Sequence, residues 1–436
     1  MWRFPLLLLL GLAGPARAQA PGDDDLANAF GPPRELKIFE PEHNVPPPPA
    51  LDDPNAPVRA AFEPDLAAAK KALDSGDAAA AREQLTMLEL SAFVLGGTDR
   101  VRVHQLQRAA ALALEDLKSL GELDEKWVAA CGPGDVAPCR HAALAAMATH
   151  DKARAEKIQA ADACVEAAEK SPGKPAPACL SSARALYQKA DDTLMIARAD
   201  LVTALSLAAD PKQSKAAKKA LTKIGDFIDG RNGAVRQLAF DARAKLELSE
   251  GNVDDAARSA LQGAEAWAST LPLERRHWAR TPMVDVACAA YDKHHGTDAC
   301  RQLEKTVVGF YVFHDFSDER LGDRQLISHE KLVQVNAHYG ILMKDCLAAE
   351  IRQIADKAAV SYLVNWLVLS TGRVDNFHSA SSVQDQSLFV KCLREQFGYW
   401  RYPSHDADPQ RIQQGFSVKS TTRSTEETEP TSTRDE

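Results

Sequence analysis

Apolar residues recur at three- and four-residue intervals from about residue 59 to residue 304, on a background rich in alanine and leucine with few β-branched runs. That is the period of a helix with one face turned to a core, so the stretch predicts consecutive α-helices. A finer pattern occurs twice. Ala72-Leu73 precedes Gly76-Asp77, with Ala81 and Leu85 beyond; Leu246 precedes Gly251-Asn252, with Ala256 and Leu261 beyond. In each, a glycine and a short polar residue end one helix, and small residues on the next let the two helices approach closely. The spacing predicts two helical hairpins.

After residue 332 the period changes. Residues 333–354 read as a helix with Leu342, Cys346, Leu347 and Ile351 among its apolar positions. Residues 360–369 then alternate, with Val360, Tyr362, Val364, Trp366 and Val368 on one face of a strand. Thr371-Gly372-Arg373 is the turn to a second strand, 374–378. Asp385 is read as the cap of a helix that buries Leu388, Phe389, Cys392, Leu393 and Phe397. Ile412, Gln414, Phe416 and Val418 form a last strand. The order helix, strand, strand, helix, strand predicts a small α+β domain with one helix-covered antiparallel sheet. Trp366 and Trp400 read as core residues of it rather than as glycan platforms.

The fold class is thus mainly α: a helical, solenoid-like domain over residues 59–331, followed by an α+β module over 332–420. Residues 1–18 carry Arg3, an apolar run and Ala16-Arg17-Ala18, the layout of a secretory signal. The run is shorter than the roughly 20 residues a membrane helix needs, although an uncleaved signal anchor is the alternative. Residues 19–58 hold ten of the 24 prolines and an acidic run, and read as an extended tether whose one apolar patch is Leu36-Lys-Ile-Phe39. Residues 421–436 read as a disordered polar tail.

Removing residues 1–18 takes away two arginines and no acid, moving the formal charge from −9 to −11. The densest basic run, Lys212-Gln-Ser-Lys-Ala-Ala-Lys-Lys-Ala-Leu-Thr-Lys223, has helical spacing and reads as one solvated helix face. Nucleic acid is therefore not an expected partner.

Eight cysteines, an even number in an exported chain, favour disulfides. Eight allow 105 connectivities, and sequence proximity favours the sequential pairs Cys131 with Cys139, Cys164 with Cys179, Cys288 with Cys300, and Cys346 with Cys392. Gly132-Pro-Gly and Pro138 make a tight loop in the first pair, and the proline-rich residues 170–177 do so in the second. The rival reading is zinc, because His294 and His295 lie between Cys288 and Cys300 and His141 follows Cys139; structural zinc ligands stand closer together within a pair. Ser328-His329-Glu330 and His314-Asp315 put catalytic residue types side by side, but a triad needs spatial convergence. No nucleophile elbow, zinc-protease helix or phosphate-cradling loop occurs. The expectation is a protein with no catalytic, cofactor-binding or metal residues.

Two resemblances bear on the role. The two hairpin stretches resemble degenerate tetratricopeptide repeats, which present a surface for other proteins. Residues 339–420 resemble the C-terminal domain shared by the AgmX and PglI proteins of myxobacteria, itself similar to the C-terminal domain of TonB. That resemblance rests on Cys346, the strand ending in Gly372-Arg-Val, the Ser381-Ser382 pair, Cys392, and Trp400-Arg-Tyr-Pro403. The chain departs from the pattern at Leu347 and in the loop of residues 404–409. The resemblance implies a non-enzymatic periplasmic adaptor of a cell-envelope machine, in gliding motility or TonB-type transport, whose partners are other envelope proteins, including outer-membrane or peptidoglycan-associated ones. Strand addition at the sheet edge is the binding mode such a module offers. The alternative is an envelope enzyme or glycan-binding protein with a concave pocket in the helical domain.

Overall fold

The computed structural model describes residues 45, 48, 52–131, 136–227, 231–322, 325–351, 360–381 and 384–418. The segments read as a signal, as a polar tail, as a tight turn at Gly132–Gly134 and, for most of its length with Leu36–Phe39, as a tether lie outside them, as does Ser382.

The fold is mainly helical, with a small three-stranded antiparallel sheet near the C-terminus. Helices α1 (Ala56–Asp74), α2 (Ala78–Leu95), α3 (Gly97–Ala113), α4 (Leu117–Ala130), α5 (Val136–Ala148), α6 (Lys152–Glu169), α7 (Cys179–Lys189) and α8 (Thr193–Ala208) follow one another. Then come α9 (Ser214–Gly225), α10 (Gly233–Ser249), α11 (Val253–Ala268), α12 (Pro282–His295) and α13 (Ala299–Val307). Each packs on its successor, and α1 on α3, α6 on α8, α8 on α10, α10 on α12 and α11 on α13 as well. Alanine makes this possible: Ala69, Ala81, Ala110, Ala143, Ala199, Ala239 and Ala260 are among the buried contact residues.

The turn read at Gly76 and Gly251 occurs four times among the described residues. At each, a residue of positive φ follows the first helix: Gly76 (88°), Glu115 (55°), Asp191 (52°) and Gly251 (80°). The next residue donates its N–H back five positions, Asp77 to Ala72, Asp116 to Ala111, Asp192 to Tyr187 and Asn252 to Glu247, each at 2.9 Å. This is the Schellman arrangement, which satisfies carbonyls the helix end would leave unpaired. Asp77, Asp116 and Asp192 then cap the following helix through their carboxylates.

Buried charge ties the helices together. Arg140 on α5 donates to Asp162 on α6 (2.5 and 2.9 Å), to Asp192 ahead of α8 (2.7 Å) and to the Val128 carbonyl on α4 (3.0 Å). A guanidinium this deeply buried persists only with its donors satisfied. Buried Arg231 reaches the carbonyl of Ala129 and the Thr193 hydroxyl, so the segment before α10 is held to α4 and α8. Its side chain passes over Gly97, where a Cβ would stand 2.8 Å from it.

The C-terminal module runs α14 (His329–Ile351), β1 (Val360–Val368), β2 (Val374–Ser379), α15 (Leu388–Gln396) and β3 (Gln410–Val418). The sheet order is β2-β1-β3 with both neighbours antiparallel to β1. Tyr362, Val364, Trp366 and Val368 face the helices, and Phe377, Phe389, Leu393, Phe397 and Trp400 complete the core. Both tryptophans are fully buried; Trp400 stacks on Phe397 at 4.2 Å and on Tyr339 at 5.4 Å. Two local expectations are corrected. Ser387, not Asp385, caps α15, accepting from Val390 N–H, while Asp385 accepts from Ser379 N–H and Arg394. Leu388 is exposed, because α15 starts there with that position turned outward.

The module's core does not stop at residue 332. Trp278, Tyr311, Phe313, Phe316 and Ile327 belong to it, and so does Val45 from the proline-rich stretch. Trp278 Nε1 donates to the Tyr399 carbonyl (3.1 Å), and the Arg401 guanidinium lies 4.1 Å above its ring. Leu321 N–H donates to the Ser404 carbonyl and Ser404 N–H to the Glu319 carbonyl, each at 2.9 Å. The helical array and the module are therefore joined through a shared hydrophobic core.

Candidate interaction site

The cysteines form four bonds, Cys131–Cys139, Cys164–Cys179, Cys288–Cys300 and Cys346–Cys392. Three join consecutive helices, α4 to α5, α6 to α7 and α12 to α13, and the fourth joins α14 to α15, which pack on each other. The first three staple local hairpins, the fourth closes a loop of 46 residues, and all four fit an oxidising compartment. Among the described residues no helix is long and apolar enough to cross a membrane.

The side chains read as chemically suggestive go separate ways. His314 pairs with Asp285 (2.6 Å), whereas Asp315 accepts from Ser317 N–H and pairs with Arg275. Ser328 caps α14 by accepting from Lys331 N–H (3.2 Å), with His329 and Glu330 exposed. His295 pairs with Asp254 (2.5 Å), and both cysteines flanking it are in a disulfide. Among the described residues, no group of three His, Cys, Asp or Glu side chains is placed to hold a metal ion.

A buried polar network sits where array and module meet. Glu304 is fully buried and accepts from Arg280 (3.2 Å), Arg301 (2.9 Å) and the Val312 N–H. Arg280 also donates to Asp285 (2.7 Å), whose carboxyl is held down at about 2 by His314 and Arg280 against its partial burial. His338 accepts the His314 N–H at 2.9 Å; burial, with Arg301, Arg280 and His314 around it, pushes its pKa down to about 2. With its polar atoms turned on one another, the network locks two parts of the molecule together.

The open chemistry lies at the sheet. β2 is a blunted edge: its register slips between Asn365 and Leu367, Asn376 takes φ 47°, and the N–H groups of Asn376 and Ser379 are taken by the carboxylates of Asp375 and Asp385. β3 differs. Its nine residues pair with β1 without a break, and its outer edge has no strand beside it among the described residues. Arg411, Gln413 and Gly415 are exposed along it. β2 pairs with β1 only from Val364 onward, so Val360–Leu363 lack a neighbouring strand on that side. There, Gln384 donates to the Ser361 carbonyl (2.8 Å) and Ala380 N–H to the Leu363 carbonyl (2.7 Å). A cleft of about 540 Å³ opens beside this step, lined by Ser361, Leu363, Ser381, Gln384, Gly415 and Phe416. In the helical array a depression of about 230 Å³ has His141, Lys152 and Glu156 on its rim and alanines between.

The motif residues divide between this site and the core. Ser381 lies at the cleft, its N–H on the Ser379 hydroxyl (3.1 Å). Gly372, Trp400 and Pro403 come together at the opposite end of the sheet: Tyr402 N–H donates to the Gly372 carbonyl (2.8 Å) and Arg373 bridges to Arg401. The β3 edge itself is not visible in sequence, because which strand lies outermost depends on long-range pairing order. Compared with known proteins, the chain matches no family model, no curated protein and no solved structure.

Proposed function

We propose that this is a non-enzymatic adaptor of the cell envelope, in which the helical array presents one docking surface and the C-terminal module captures a second protein by strand addition along β3. The observation that carries the reading is the asymmetry of the sheet: one edge is closed by its own side chains, while the other is long, regular and, among the described residues, open. Backbone N–H and C=O groups along such an edge supply affinity to any extended segment, and alternate side chains supply the choice. Gly415, exposed in mid-strand, lets an incoming backbone approach closely. The four disulfides fit export, and the periplasm, the tetratricopeptide-like character of the array and the TonB-like or AgmX-like character of the module belong to the same proposal.

The test is affinity purification from envelope fractions followed by hydrogen exchange on the purified complex. Slowed exchange of the β3 amides over residues 410–418, and of no β2 amides, is the expected result. A partner that binds with β3 exchange unchanged, or recovery of glycan and no protein, would sink it. N-terminal sequencing of the same sample decides whether the signal has been cut.

A further inference from the structure

Helix α9 stands outside the hairpin pattern. The pairs α7–α8 and α10–α11 each close through the Schellman turn, whereas α9 lies alone between them after a 3₁₀ turn at Pro211–Gln213. Packing engages one face: Ala217, Leu221 and Ile224 are buried, and the latter two join Leu194, Leu201, Val235 and Ala239 of α8 and α10. On the outward side Lys212, Lys215, Lys219 and Lys223 are exposed. Among the described residues none of the four has a carboxylate within ion-pair distance; Lys218, half-buried, is the lysine of this helix that does, pairing with Glu250. Asp210 is occupied by Lys212 N–H and Gln213. Lys215, Lys219 and Lys223 fall within an arc of about 80° at 100° per residue. Phe227, just past the helix end, is 41% exposed.

Like charges four apart on a helix destabilise it by a few tenths of a kcal/mol per pair, so packing gives no reason for this arrangement. We propose that the outward face of α9 docks on an anionic lipid surface, the four lysines at the headgroup phosphates and Phe227 in the interfacial layer. The complementarity is local: the formal charge of the whole chain is −9, so its net charge repels such a surface and this stripe must supply the attraction. A row of charges about 17 Å long on a convex helix meets a plane at every position, as it would not meet a compact ligand. An exposed aromatic at the end of the row gains from the lipid interface and gains nothing from a soluble polyanion. This site is separate from the β3 edge and does not rest on the adaptor reading.

The full chain is sedimented with vesicles of phosphatidylcholine alone or with one quarter phosphatidylglycerol, at low and high salt. Expected is salt-sensitive binding to the anionic vesicles only. Changing Lys212, Lys215, Lys219 and Lys223 together to Gln should lower the partition coefficient several hundredfold, at about fivefold per lysine; F227A should lower it several-fold. Exposed Lys70, Lys71, Lys118 and Lys157 changed to Gln give a control of the same net charge that keeps wild-type binding. The N-terminal residues are the same in wild type and in both quadruple variants, so they cancel when those proteins are compared. Equal loss in the two quadruple variants, no binding to anionic vesicles at low salt, or binding only to a soluble anionic polysaccharide would overturn the proposal.

Discussion

Gly372 offers the sharpest test of how the C-terminal module is assembled. It turns β1 into β2 at φ 75°, and a Cβ built on it would stand 1.9 Å from the carbonyl oxygen of Tyr402, a backbone atom with no flexible end to move. Alanine there meets two penalties. Holding a non-glycine residue in the left-handed region costs about 1–2 kcal/mol. Relieving the clash requires the 400–403 segment to retreat by an ångström or more, losing the 2.8 Å Tyr402-to-Gly372 hydrogen bond, about 1 kcal/mol, and disturbing the packing of Trp400 and Tyr402, about 1–3 kcal/mol. The sum for G372A is about 4 kcal/mol. Gly76 is the control: its φ is 88° but nothing lies within 4 Å of the added Cβ, so G76A should lose only the conformational part, about 1–2 kcal/mol. Urea unfolding followed by near-ultraviolet circular dichroism, which reports the packed aromatic residues, gives both values. If G372A is no more destabilising than G76A, the contact between turn and segment contributes nothing and the reasoning fails.

The disulfides should rank by loop length: in the chain-entropy picture, opening Cys346–Cys392, 46 residues apart, loses about 4 kcal/mol, and opening Cys131–Cys139, 8 apart, about 2.5 kcal/mol. Paired Cys-to-Ser variants compared by denaturant midpoint check the order, and a reversed order refutes it. Arg140→Met leaves Asp162 and Asp192 without their buried partner and should cost about 3–5 kcal/mol, measured by the same unfolding experiment; a change under 1 kcal/mol would show that water replaces the guanidinium. His338 has a folded pKa far below its unfolded value, so as pH falls below about 6.5 the unfolded chain takes up a proton that the folded chain refuses, and stability drops. Wild type should lose up to about 2 kcal/mol more than H338Q between pH 7 and 5. Asp241, raised to about 6 by burial, acts with the opposite sign below pH 6 but cancels in that difference. Parallel pH profiles would show that His338 does not titrate on unfolding.

What sequence could and could not announce follows from how local the determining physics is. The alternation of Tyr362, Val364, Trp366 and Val368 and the helical period of the alanine-rich region are local, and the structure has a strand and helices there. Two of the four Schellman turns were legible because glycine marks a positive φ. The other two were silent, since Glu115 and Asp191 adopt the same geometry with side chains that do not advertise it. The cap of α15 went to Ser387 because Asp385 is drawn away by Ser379 and Arg394, partners that only the tertiary fold brings near.

Residues 311–327 have no period at all, yet they carry Tyr311, Phe313, Phe316 and Ile327 into the core of the module and pair with Ser404. A segment with no period of its own is invisible to pattern reading and decisive for architecture: it makes the array and the module share one core. The same logic governs the proposed binding site. A strand edge is defined by the neighbour it lacks, and that property belongs to the pairing order β2-β1-β3 rather than to any residue of β3. The chemistry of closing β2 is written in side chains, Asp375 and Asp385, while the opening at β3 is written in none. An interaction surface built from backbone is therefore recovered by asking which edge the protein has closed against strand addition and which it has left open.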